Sequence, residues 1–272
     1  MHELIIEAGR TERQYWKDLW RYRELLYFLA WRDVLIRYKQ TVVGITWAVI
    51  RPFLTMVVLT VVFGRLANMP SGGVPYPLLV FCGMLPWQFF SSAISECGSS
   101  LVTNSTLISK VYFPRMTVPA SSVITSLVDL LVSAALLALL MVWYQYVPGP
   151  RVFLLPLFVL MAFGAALGFG LWISALMVRY RDFRFIVPFM VQFGLYISPV
   201  GFTSQVIPEQ WRLLYSLNPM VGAIDGFRWA VLGGDAALYW PGFLLSLVVV
   251  GLLLGTGIHY FRRTERTFAD II

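Results

Sequence analysis

Arg51, Glu96 and Asp129 stand inside stretches that are otherwise apolar. An ionisable side chain at membrane depth is costly, so it faces a bundle interior or a water path and takes a partner there. Arg51, beside Pro52, can snorkel to an interface. Asp129 is too deep for that and needs a partner within the bundle. The expected pair is Arg51 with Glu96 or with Asp129. So few groups do not make a proton relay, and ion-driven chemistry is not indicated. Catalytic chemistry is no better served. His2 and His259 lie at opposite ends, and Cys82 and Cys97 lack metal-ligand spacing. The chain contains no GxxxxGKS/T, no HExxH and no GxSxG, so it cannot itself cradle nucleotide phosphates as a P-loop does. No catalytic residue and no metal site is expected.

Aromatic residues form the second constellation. Trp47 and Phe53 fall in one apolar stretch and Trp87, Phe89 and Phe90 in the next. Phe185, Phe189, Phe193 and Tyr196 recur at spacings of four, four and three, which is one helical face. The plain reading is packing against lipid. The sharper one is a pore lined with rings, because aromatic faces pack on the apolar faces of sugars without demanding fixed hydroxyl partners.

The elements that position these residues are membrane helices. Of 272 residues, 58% are apolar and only 13% charged, too few charges to cover a water-exposed surface of this size. Six stretches reach the roughly 20 apolar residues that a bilayer requires: about 44–66, 76–95, 118–143, 152–178, 185–202 and 240–261. Gly164–Gly168 and Gly251–Gly255 have the small-xxx-small spacing that lets helix backbones approach. The fold class is all-α and polytopic. No cleavable signal precedes the first span, which is expected to direct insertion.

Basic residues set the orientation. Arg10, Arg13, Lys17, Arg21, Arg23, Arg32, Arg37, Lys39 and Arg51 open the chain. Lys110 and Arg115 follow in the second loop, Arg179, Arg181 and Arg184 in the fourth, and Arg262, Arg263 and Arg266 in the tail. The other side holds only Arg65, Arg151, Arg212 and Arg228. By the positive-inside rule both termini are cytoplasmic, and the net charge of +7 reflects topology rather than nucleic-acid binding.

Three segments outside the spans stand out. In residues 15–36, Leu19, Tyr22, Leu26 and Leu29 recur at three- and four-residue spacing among basic residues, which predicts a helix lying in the interface with its apolar face toward lipid. In 101–119, Asn104 or Ser105 can cap a short helix ending before Pro114. That helix is expected to expose Ile108, Val111, Tyr112 and Phe113 with Lys110, a surface suited to a protein partner. Residues 198–235 are too polar and too broken by Pro and Gly to span. Two short helices, 208–216 and 219–232, are expected to dip into the outer leaflet as an outer gate.

Several runs together resemble the ABC-2 type permeases that export polysaccharides: RDVLIRYKQTVVGITWAVIRPFLTMVVLTVVFG from Arg32, VPYPLLVFCGMLPWQFFSSAI from Val74, LISKVYFPRMTVP from Leu107, ALMVRYRDFRFIVPF from Ala175, LNPMVGAIDGFRWAVLG from Leu217, and the closing FRRTERTFADII. The resemblance spans about 25–272 and is greatest to the O-antigen and teichoic-acid branch. It implies a cytoplasmic segment, 1–43, with the interface helix, and a six-span domain, 44–272, with a coupling helix near 104–113 and gate helices near 205–235. It implies a homodimer in a bacterial inner membrane, bound to two copies of a separate ABC ATPase that carries the ATP and Mg; no cofactor is expected on this chain. Asn104, Ile108, Lys110, Val111, Tyr112 and Phe113 would dock on that ATPase. A channel between the copies would be lined by the aromatic residues named above. The cargo would be an undecaprenyl-linked glycan, with Arg32, Arg37, Lys39 and Arg51 near the entrance of its pyrophosphate. The same architecture could move capsular polysaccharide, teichoic acid or a small drug. A membrane enzyme acting on polyprenyl-linked sugars is the remote alternative, because it would need convergent acids or histidines at one membrane face.

Overall fold

The computed structural model describes residues 12–39, 42–233 and 238–268. It is helical, with no strand among the described residues. In order, the helices are α1 (Glu12–Arg21), α2 (Arg23–Lys39), α3 (Val42–Leu59), α4 (Tyr76–Thr103), α5 (Ser105–Lys110), α6 (Thr117–Trp143), α7 (Leu155–Arg179), α8 (Phe183–Ile197), α9 (Glu209–Tyr215), α10 (Pro219–Leu232) and α11 (Trp240–Thr264). A π-helical turn, Thr60–Leu66, continues α3. Proline starts several of these helices, at Pro77, Pro156, Pro219 and Pro241, where its missing N–H has no intrahelical acceptor to lose.

Five segments are long and apolar enough to cross a membrane: Val49–Leu66, Tyr76–Thr103, Thr117–Trp143, Pro150–Arg179 and Trp240–Thr264. The remaining expected span corresponds to α8, which has 15 residues. At 1.5 Å per residue it covers about 22 Å, short of a hydrocarbon core of about 30 Å. Sequence placed this span's end at 202, but the helix stops at Ile197 and the chain turns through 198–202.

α4 is the central helix. Leu78, Val80, Phe81, Met84, Ala93, Cys97 and Leu101 are all fully buried, and α4 packs against α6, α7 and α10. α7 and α11 touch closely. A Cβ on Gly168 would stand 2.6 Å from the Leu254 backbone nitrogen, and one on Gly257 would strike the Gly168 carbonyl. The Gly164–Gly168 spacing is thus used for close approach, whereas Gly251 and Gly255 face open space.

A second, smaller core gathers one end of the bundle. Leu29 of α2, Leu101 of α4, Ile108 and Phe113, Leu171 and Val178 of α7, and Phe261 and Phe268 near the end of the chain pack together. The basic residues that sequence assigned to one membrane side therefore belong to segments that meet at this end. Here the interface helix departs from expectation. Leu19, Tyr22 and Leu29 do not present a lipid-facing stripe but pack on the bundle, joined by Leu25, while Leu26 is half-buried outside that core. Trp16, Trp20, Tyr27, Phe28 and Trp31 form the exposed face. Aromatic residues are well suited to an interface, being apolar in body and polar at the tip. The leucines have a better apolar surface available against α6 and the end core.

Candidate functional site

The turn between α4 and α6 was expected to expose its apolar residues, and the structure divides them. Ile108 and Phe113 are buried, 5% and 4% exposed, in the end core. Lys110, Val111 and Tyr112 are exposed. A six-residue helix cannot hold its own position, so Ile108 within it and Phe113 just beyond its end anchor the turn. Asn104 is also used differently. Its side chain does not cap α5; its Nδ2 donates to the Ser100 carbonyl at the end of α4, 2.9 Å away, and its Oδ1 accepts from Arg32 Nη2 at 2.9 Å. Arg32 also pairs with Asp33 at 2.7 Å. α2 and the head of α5 are thereby tied by a charge-assisted bond.

The two half-buried acids do have a partner, but it is Arg37 rather than Arg51. The Arg37 guanidinium forms ion pairs with Glu96 of α4 and Asp129 of α6. Tyr38 donates to Asp129, and Ser126 donates to Glu96 at 3.4 Å. Burial, followed by Asp129, holds the Tyr38 phenol above the usual range. Sequence separation hid this arrangement: α2 runs along the bundle against α6, so a residue before the first span reaches acids in the second and third. Arg51 is exposed on α3, as is Lys39 on α2.

At the opposite end, a residue that sequence counted only as an external charge is central to the packing. Arg228 of α10 is 4% exposed. It donates to the carbonyls of Leu79, Pro199, Val200 and Phe202, at 3.0, 2.5, 2.5 and 2.7 Å. Three of these belong to the turn that ends α8. Broken backbone at membrane depth is tolerated only where its polar groups are satisfied, and the five-donor guanidinium does this. Gly83 of α4 makes room for it, since a Cβ there would overlap the Arg228 guanidinium. Tyr76 donates to the Gly201 carbonyl at 2.7 Å, and Asn218 caps α10 while donating to Ser198 at 3.0 Å. The signal was available: an arginine amid apolar residues next to a Pro/Gly-broken segment.

The aromatic set separates as well. Phe185, Phe189, Phe193 and Tyr196 form an exposed face on α8, with Phe189 and Phe193 stacked at 5.9 Å. Phe53 is exposed on α3. Trp87 and Phe89, 6% and 2% exposed, are buried in the main core instead. Trp87 fills the space over Gly194 of α8 and lies 5.6 Å from Phe90, which in turn meets Phe169. Trp87 and Phe90 back α8 rather than face outward, because the α4 face that carries them is covered by α7 and α8, whereas Phe89, two positions from Trp87, lies on the other side of α4 in the main core. Trp47 falls within α3, but its side chain lies outside the described residues, as does His2.

Comparison with known proteins sets this geometry in context. The model of the family described as ABC-2 type transporter matches residues 24–232. The O-antigen export system permease protein RfbA of Myxococcus xanthus is 29% identical over 216 residues, 78% of this chain and 82% of that protein. The protein of the same name from Klebsiella pneumoniae is 25% identical over 92% of this chain and 95% of its own length. The polysialic acid transport protein KpsM of Escherichia coli is 22% identical over 82% of this chain and 89% of its own.

Proposed function

The chain belongs to the ABC-2 type transporter family, and from that premise we propose that it is the membrane subunit of an ATP-driven exporter of lipid-linked, O-antigen-like polysaccharide. It is a multi-pass membrane protein, and its relatives are permeases rather than enzymes. The observation that carries the proposal is the short α5 at the basic end of the bundle. Together with the residues that follow it, α5 is anchored inward through Ile108 and Phe113 and presents Lys110, Val111 and Tyr112 outward. That is the form of a docking knob for a separate ATPase, which would supply the ATP and Mg.

In this account two copies pair, each with its own ATPase, in the inner membrane with both termini in the cytoplasm. Residues 1–43 form the cytoplasmic segment and 44–272 the transport domain. α8 completes a sixth crossing together with the chain that follows it, and α9 and α10 form the outer gate. The exposed rings Phe53, Phe185, Phe189, Phe193 and Tyr196 would face the glycan between the copies, with Trp87 and Phe90 fixing α8 from behind; Phe89, in the main core, would not line the channel. Work passes from the ATPase only if the coupled states differ in contact free energy at α5. With Arg37 committed to two carboxylates and Arg32 to Asp33 and Asn104, Lys39 and Arg51 are the entrance cations left facing solvent.

Deleting the gene in its host and assaying lipid-linked glycan on each side of the inner membrane tests the function. Glycan accumulating inside, with none outside, is the expected outcome. Unchanged outer glycan contradicts it. A further relative, the capsule polysaccharide export inner-membrane protein CtrC of Neisseria meningitidis, favours a capsular polysaccharide as the second cargo, which composition analysis of the accumulated glycan distinguishes.

A further inference from the structure

At the basic end of the bundle, a cleft of about 450 Å³ opens between the ends of α4 and α7, the start of α5 and the start of α8. Ser95, Ser99, Thr103 and Ser105 line one side, and Arg181 and Arg184 the other. Its volume falls within the roughly 300–1,000 Å³ of small-molecule sites. The two arginines are exposed and enter no ion pair among the described residues, unlike Arg32 and Arg37. Asp182 lies between them in sequence but is not among the lining residues.

The lining has two chemistries. A guanidinium is a planar fork of donors that binds phosphate oxygens bidentately and keeps its charge at any relevant pH. Two of them, three residues apart in sequence, suit a ligand with more than one phosphate. The serines suit a different group. Ser95 Oγ donates to the Ser91 carbonyl at 2.8 Å, and Ser99 Oγ to the Ser95 carbonyl at 3.1 Å. Each hydroxyl therefore presents lone pairs to the cleft, and these accept from sugar hydroxyls. Beyond the cleft, Phe185 and Phe189 of α8 follow Arg184 and the lining residue Pro188 by one position each, so the exposed aromatic face begins where the cleft ends.

We infer that this cleft holds the pyrophosphate and first sugar of a polyprenyl-linked glycan. Arg181 and Arg184 take the phosphates, Ser95 and Ser99 the sugar, and the exposed α8 face receives the chain that follows. The inference rests on the export function proposed above and gives the pyrophosphate a different seat from Lys39 and Arg51.

The test uses the permease–ATPase complex in nanodiscs doped with undecaprenyl pyrophosphate or, separately, with phosphatidylglycerol alone, and counts retained lipid by native mass spectrometry. Arg181→Gln with Arg184→Gln is expected to lower retention of the pyrophosphate lipid at least tenfold. Arg181→Lys with Arg184→Lys should recover most of it. Arg263→Gln, which removes an exposed charge at the same end, should change nothing. Undiminished retention in the double glutamine variant overturns the assignment while leaving the export function standing. Equal loss of phosphatidylglycerol makes the cleft an ordinary phospholipid site and overturns it as well. A wild-type complex that retains no undecaprenyl pyrophosphate removes both the cleft and the cargo assigned to the exporter.

Discussion

Arg32 of α2 donates a 2.9 Å hydrogen bond to Asn104, the residue at which α4 gives way to α5. α2, which packs along α6, is therefore joined to the turn proposed to meet the ATPase. Five residues further along α2, Arg37 grips Glu96 and Asp129 inside the bundle. α2 thus links the head of α5 to both α4 and α6.

Asn104→Ala removes the acceptor for Arg32 and the group that caps Ser100. Hydrogen bonds to charged groups contribute about 1.5–3 kcal/mol when sheltered; with Arg32 36% exposed, about 1 kcal/mol is expected. ATP turnover of the assembled complex should persist while export per ATP falls severalfold. Turnover and export falling in parallel would count against α2 as the link.

Arg37→Met strands two carboxylates. Breaking a buried pair costs about 3–5 kcal/mol, and the partial exposure of all three groups places the cost at the lower end. Adding Glu96→Gln and Asp129→Asn to the Met variant should restore most of the melting temperature in detergent. An unchanged melting temperature for the single variant would show that the triad does not hold α2.

Arg228→Leu leaves four carbonyls without their donor. Each unsatisfied buried group costs about 1–3 kcal/mol, enough to disorder the turn after α8. Limited proteolysis should then cut within 198–202 in the variant and not in the wild type. Gly83→Ala should have a weaker form of the same effect, since overpacking costs about 1–3 kcal/mol. An Arg228→Leu protein as resistant as wild type would mean that the turn is held by other contacts.

Much of the fold was legible in the sequence, because apolar runs bounded by proline and basic residues report membrane helices directly. The helices α9 and α10 were legible for the same reason: Pro208 and Pro219 mark their starts, and α10 fits too poorly as a span. What stayed hidden depends on which face of a short helix meets protein. Ile108, Val111, Tyr112 and Phe113 are all apolar and adjacent, and nothing in their spacing says that the first and last turn inward. Trp87 and Phe89 carry the same ambiguity. The choice of Arg37 over Arg51 needed the path of α2, a tertiary fact. Arg228 was overlooked because a positive residue outside the spans was counted as a topology marker.

The division of α5 gives contrasting outcomes. Phe113→Ala should cost about 3–5 kcal/mol by opening a cavity in the end core, seen as a lowered melting temperature. Val111→Ala with Tyr112→Ala should shift stability by under about 1 kcal/mol yet separate ATP turnover from export in the complex. Normal export by the folded double variant would remove α5 as the docking knob.

The central claim is tested most directly by purifying the tagged chain in mild detergent after co-expression with its genomic neighbours. A stable complex of two permeases and two ATPases that turns over ATP is the predicted result. A chain that purifies alone, with no ATPase bound and no turnover, would contradict the account.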